Sequence, residues 1–180
     1  LRSLLLYVGL QSEINFGAYS PMARQADQKE GDASLPREER RTTALALSLW
    51  IEKWEKGHLP SPDDFLPNPH SPELYDHFFI AELGREINQS TFTCAGRIPA
   101  TLAGSDPTGK TISDCFPPSL WDSLSYSVTT AAVTRKPTPA SGYFITNDKH
   151  DALHRSLIMP LSRNSVNIDF VLGAVNFKPL

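Results

Sequence analysis

The sequence predicts an α+β domain: a five-stranded, largely antiparallel sheet with helices on one face, preceded by an N-terminal helical segment. Three observations carry that expectation. Five short stretches, residues 78–84, 91–97, 140–146, 153–161 and 168–177, are apolar and alternating, with turn residues between them. Residues 118–134 place Leu120, Trp121, Leu124, Val128, Ala131 and Ala132 at helical spacing behind Pro118, a favoured first helical residue. Fifteen prolines in 180 residues interrupt the chain too often for a long-helix bundle or coiled coil. A 40% hydrophobic content supports one real core, and a formal charge of -3 gives no push toward nucleic acid.

In chain order, residues 4–10 form a seven-residue apolar run, far too short to span a membrane. They suit a docking or dimer-forming segment. Residues 23–41 are polar and charged, a linker or a solvated helix face, so the chain divides into an N-terminal segment, 1–41, and a domain, 42–180. From Thr42 a helix is expected up to Lys56, with Gly57 as its stop and Trp50 and Trp54 as packing anchors. Five prolines in residues 59–72 require an extended, wrapping segment. The strands 78–84 and 91–97 follow, joined by a turn at residues 86–89. Residues 99–103 and 112–116 have room for single helical turns. The long helix and three more strands complete the order, with turns at Asn147-Asp148 and residues 163–165.

Two motifs imitate chemistry. Residues 104–111, GSDPTGKT, match the phosphate-binding pattern G-x-x-x-x-G-K-[ST], in which Lys110 would reach the β/γ-phosphates and Thr111 a magnesium ion. The context opposes it, since Pro117-Pro118 forbid the long helix that must follow and no parallel sheet is predicted. His150-Asp-Ala-Leu-His154 imitates a zinc-binding H-E-x-x-H, which needs a helix. In the strand predicted here, residues four apart lie roughly 13 Å from each other, too far to share one metal. His58, His70 and His77 are expected at the surface. Cys94 and Cys115 stand alone, with neither a zinc spacing nor the density of a disulfide scaffold, which favours a cytoplasmic setting and no metal site. No catalytic constellation is legible.

Residues 91–98, TFTCAGRI, followed by 102–112, LAGSDPTGKTI, resemble the early core of PAS domains, above all the small stand-alone bacterial PAS proteins. Residues 155–162 and 168–175 resemble the last two strands of that group, and 59–83 its lead-in; the resemblance spans about residues 44–177. It implies a PAS fold, a five-stranded antiparallel sheet that encloses a small pocket with its flanking helices. It also implies a sensory or interaction module rather than an enzyme, with a regulatory protein as partner and dimerisation through the N-terminal segment. On that analogy the pocket candidates are Phe92, Cys94, Trp121, Leu124, Val128, Leu157, Met159 and Leu172, for each of which core packing is the competing role. Haem and flavin are disfavoured as cofactors. Residues 118–136 contain no histidine, and neither cysteine has the setting of a flavin-reactive one. Within the chain no kinase, cyclase or DNA-binding segment follows the last strand. The module is therefore expected to signal by contact, and the alternative is a nucleotide-binding enzyme using residues 104–111.

Overall fold

A computed structural model describes residues 37–54, 58–66 and 72–180. The apolar run at residues 4–10 and most of the expected linker lie outside them. The elements are helix α1 (Arg37–Lys53), a 3-10 turn (Pro62–Phe65), the one-turn helix α2 (Pro72–Tyr75), and strands β1 (Phe78–Glu82) and β2 (Thr91–Ala95). Helices α3 (Arg97–Ala103), α4 (Ile112–Cys115) and α5 (Pro118–Thr134) then lead to strands β3 (Thr138–Ile145), β4 (Asp151–Leu161) and β5 (Phe170–Pro179).

The strands form one sheet in the order β2-β1-β5-β4-β3, and every neighbouring pair is antiparallel. The predicted elements appear in the predicted order, with strand ends displaced by two residues or fewer. α1 begins at Arg37, inside the charged stretch read as a linker or solvated helix face. The proline-rich segment is not wholly extended. Pro62 opens the 3-10 turn, while Ser61 and Asp64 cap it reciprocally through the backbone N–H groups of Asp63 and Ser61.

Two apolar layers sandwich the sheet. On its inner face, α3, α4 and α5 bury Leu102, Ile112, Phe116, Leu120, Trp121, Leu124 and Val128 against Phe79, Phe92, Ile158, Val171 and Val175. On the outer face lies α1. Thr43, Ala46, Leu47 and Trp50 are buried at helical spacing, and the three apolar ones pack with Leu157, Met159, Phe170 and Leu172. Trp50 also donates its indole N–H to the Pro160 carbonyl at 3.0 Å. Pro160 is tolerated inside β4 because pairing with β3 ends at Ile158, so its missing N–H leaves no gap in that ladder.

Both sheet edges are partly covered. Along β2, Gly109 N–H donates to Phe92 O, Phe92 N–H to Lys110 O and Ile112 N–H to Ser90 O, so residues 109–112 lie against the free edge. Along β3, Ile145 N–H donates to Ser119 Oγ and Ser127 Oγ donates to Pro139 O. Pro139 thus points its missing N–H away from β4, where an edge strand can accept it. Edges covered in this way resist pairing with another chain.

Candidate functional site

The space between the inner face and α5 holds the most unusual chemistry of the molecule. Ser119, Ser123 and Ser127 recur every fourth residue, so they form one stripe along α5 facing β3. The outer two bond the β3 backbone. Ser123 Oγ instead meets His154 Nε2 at 3.0 Å, and Ser156 Oγ meets His154 Nδ1 at the same distance. His154 and Ser156 come from alternate, inward-facing positions of β4, the parity of Ala152 and Ile158. His154 is 3% exposed, and burial pushes its pKa down to about 4, so the ring is neutral near pH 7. A neutral imidazole has one donor and one acceptor nitrogen. One serine therefore accepts a proton from the ring and the other donates one to it. Ser123 and Gly142 are partly exposed, which places the rim of this polar group between α5 and β3.

Beside it the inner layer is aromatic. Phe79, Phe92 and Phe116 pack edge-to-face, with centroids 5.2, 5.4 and 5.7 Å apart, and the Trp121 indole N–H donates to Asn88 Oδ1 at 2.9 Å. Phe144 lies edge-on to His154 at 6.0 Å.

The eight sequence-predicted pocket residues do not share one volume. Phe92, Trp121, Leu124 and Val128 lie on the inner face. Leu157, Met159 and Leu172 lie on the outer face under α1, and Cys94 packs at the margin of the same layer. For Cys94 the reason is a β-bulge. Ala81 pairs with Phe92 but Ile80 pairs with Cys94, so Thr93 is an extra residue that reverses the side-chain parity of β2. The inward positions of β4 and β5 are their neighbours Ile158, Val171 and Val175. Sequence reading missed His154, Ser123 and Ser156. The signals available were the four-residue serine spacing and the period of two that links His154 to Ile158.

The loop at residues 104–111 does not form a phosphate cradle. Thr108 N–H donates to Asp106 Oδ1, Gly109 N–H to Phe92 O and Lys110 N–H to Pro107 O, so three of the amides that would cradle a phosphate are engaged within the fold. Lys110 reaches Ser105 Oγ at 3.4 Å, Thr111 Oγ1 donates to an Asp114 carboxylate oxygen, and the helix that follows is a single turn. His150 sits in the β3–β4 turn, exposed, while His154 faces the core, so the pair does not share a helix face. His58 is exposed. His77, expected at the surface, is partly buried and donates from Nδ1 to Val175 O at 3.1 Å, while its own carbonyl accepts from Val175 N–H. His70 lies outside the described residues. Burial raises the thiol pKa of both Cys94 and Cys115, so neither is an activated nucleophile. A separate polar cleft of about 530 Å³, lined by Glu52, Lys53, His58, Asp64 and Arg163, opens at the end of α1 and contains none of the eight predicted residues.

An antiparallel sheet in the order 2-1-5-4-3, with the helical connection between its second and third strands folded over one face, is the PAS arrangement. The chain has the PAS fold. Solved structures similar to this PAS-like chain include a PAS domain from Colwellia psychrerythraea, 13% identical over 59% of this chain and 92% of that one, with a TM-score of 0.43. A sensory box sensor histidine kinase from Vibrio cholerae is 14% identical over 82% and 98%, at 0.42. The VqmA dimer of Vibrio cholerae is 13% identical over 64% and 52%, at 0.46. These likenesses accompany the fold assignment, which rests on strand order. No protein-family model and no curated protein matches the sequence.

Proposed function

We propose that residues 37–180, from α1 onward, form a sensory PAS module that binds a small ligand between α5 and the inner face of the sheet and reports to a regulatory protein partner, with residues 1–36 as a separate segment. The observation that supports this reading is the His154–Ser123–Ser156 group inside an otherwise apolar layer. Burying His154 and Ser156 costs free energy unless each is bonded, and an apolar core of the same shape would avoid the cost. Recognition of a ligand explains their presence. Ser123, at the rim, can turn its hydroxyl from His154 to a ligand, and the aromatic wall favours a small, largely apolar molecule with one hydrogen-bonding group.

Catalysis is the poorer reading of the same group. With a serine rather than a carboxylate on Nδ1 and a pKa of about 4, His154 is a weak general base for Ser123. We place the module in the cytoplasm, in keeping with its two free cysteines. No helix among the described residues is long and apolar enough to cross a membrane.

Native mass spectrometry and the ultraviolet–visible spectrum of freshly purified protein test the ligand. A bound small molecule that is lost in Ser123→Ala and His154→Leu is the expected result. Protein that carries nothing, and whose melting temperature no compound in a small-molecule panel raises, would overturn the ligand. Affinity capture of a signalling partner tests the second half. Turnover abolished by Ser123→Ala would overturn the non-catalytic reading.

A further inference from the structure

Five of the six glycines among the described residues have a structural reason to be glycine. A Cβ at Gly84, Gly96 or Gly173 would meet a neighbour at 2.7 Å or closer, and Gly104 and Gly109 have positive φ. Gly142 has neither reason. It lies inside β3, in regular register opposite His154, and a Cβ there would sit 3.7 Å from both His154 Nε2 and Ser123 Oγ, an ordinary contact distance. A glycine inside a strand weakens it, and where the fold does not demand one it is a mark of close approach by a ligand. The seam between α5 and β3 is open at the same point. In an antiparallel pair, successive residues direct their N–H and C=O groups alternately toward the neighbouring strand and away from it. Ile145 N–H and Pro139 C=O bond to Ser119 and Ser127, so the odd-numbered residues of β3 direct these groups away from β4. Ser141 and Tyr143 are the two between. Ser123, the middle serine of the stripe, turns to His154 instead, and among the described residues no hydrogen bond from α5 reaches the main chain of Ser141 or Tyr143.

We propose that a neutral ligand enters through this gap and seats a hydroxyl or carbonyl group against Ser123 and His154, with Gly142 as the residue that selects for it. The inference rests on the ligand reading of the His154 group. An atom placed slightly deeper than the absent Cβ comes within hydrogen-bond distance of Ser123 Oγ, and the free main-chain groups of Ser141 and Tyr143 line the way in. Charge decides the ligand class. Among the described residues, the side chains of Ser123, His154 and Ser156 bond to one another and to no charged group. Asp122, beside Ser123, is exposed, and Arg155, beside His154, faces the other side of the sheet. A carboxylate or ammonium would give up its water here for no opposite charge.

The test follows phenol, a neutral probe with one hydroxyl, binding to the full chain by calorimetry and by the imidazole NMR signals of His154. Benzoate and toluene serve as its charged and purely apolar counterparts. The wild type is expected to bind phenol more tightly than either, with the His154 signals moving. Gly142→Ala should keep or raise the melting temperature, because alanine fits and restrains the unfolded chain. It should also weaken phenol about tenfold or more, the effect of one carbon too many in a filled site. Gly142→Val should abolish binding, with circular dichroism confirming that it is folded. Occupancy of any molecule retained through purification, read by native mass spectrometry, should fall in the same variants. Phenol bound by Gly142→Ala as by the wild type, but not by Ser123→Ala, overturns the role of Gly142 and leaves the ligand reading standing. A Gly142→Ala protein that melts several degrees lower also overturns it, since the fold then needs the glycine. Benzoate or toluene bound as tightly as phenol overturns the ligand class. A wild type that binds no probe and retains no molecule overturns the ligand reading and this inference together.

Discussion

The ring of Phe79 lies directly on Gly173, its cross-strand partner between β1 and β5. A Cβ added to that glycine would come within 2.1 Å of the ring. Phe79 is 1% exposed and held edge-on by Phe92 and Phe116, so the ring has nowhere to move. Gly173→Ala is therefore expected to destabilise the domain by about 1–3 kcal/mol, the usual cost of overpacking a filled core. Urea unfolding measures it. Adding Phe79→Leu should recover part of the loss, and full stability in the single variant would contradict the packing described.

His154 makes stability depend on pH, with a definite sign. Its folded-state pKa is lowered from 6.5 to about 4, so between those values the unfolded chain binds a proton that the folded chain does not. The contribution is complete above about pH 6.5 and lost as pH falls toward 4, amounting to a few kcal/mol at roughly 1.4 kcal/mol per unit. Urea midpoints at pH 7.5, 6, 5 and 4.5 should fall accordingly. In His154→Gln the fall across that window should be shallower.

Trp50 joins α1 to the sheet by packing and by one hydrogen bond, which predicts graded losses. Trp50→Phe keeps most of the apolar contact but leaves the Pro160 carbonyl without its donor, at a cost of about 1 kcal/mol or somewhat more. Trp50→Ala should cost about 3–5 kcal/mol. Denaturant unfolding gives both values, and hydrogen exchange should show the amides of α1 opening first.

For the loop at residues 104–111, saturating Mg-ATP should leave the melting temperature unchanged, because three of the loop's amides are already bonded and the helix that follows is a single turn. Lys110→Ala should change stability by less than about 0.5 kcal/mol, as for other exposed side chains. A melting shift that Lys110→Ala removes would contradict the loop geometry.

Much of the fold was legible because its signals are local. Pro118 and the apolar spacing behind it bound α5 as observed, and the alternating runs mark each strand to within two residues. The candidate site was less legible. Phe92 and Cys94 are two apart and should share a face, but the extra residue Thr93 separates them, and a bulge has no signature in alternation alone. In β4, Leu157 and Met159 compete with His154 and Ser156 for the inner face. Hydrophobicity favours the wrong pair because both faces of the strand are buried.

By itself the sequence determined the succession of strands and helices, the proline and glycine stops between them, and the failure of residues 104–111 to open a long helix. These follow from backbone sterics and periodicity within a few residues. Tertiary structure alone decided which face each side chain meets, that α1 packs on the outer face, and that two serines enclose His154. Those outcomes depend on register between distant strands, where one added residue exchanges the inside of the sheet for the outside.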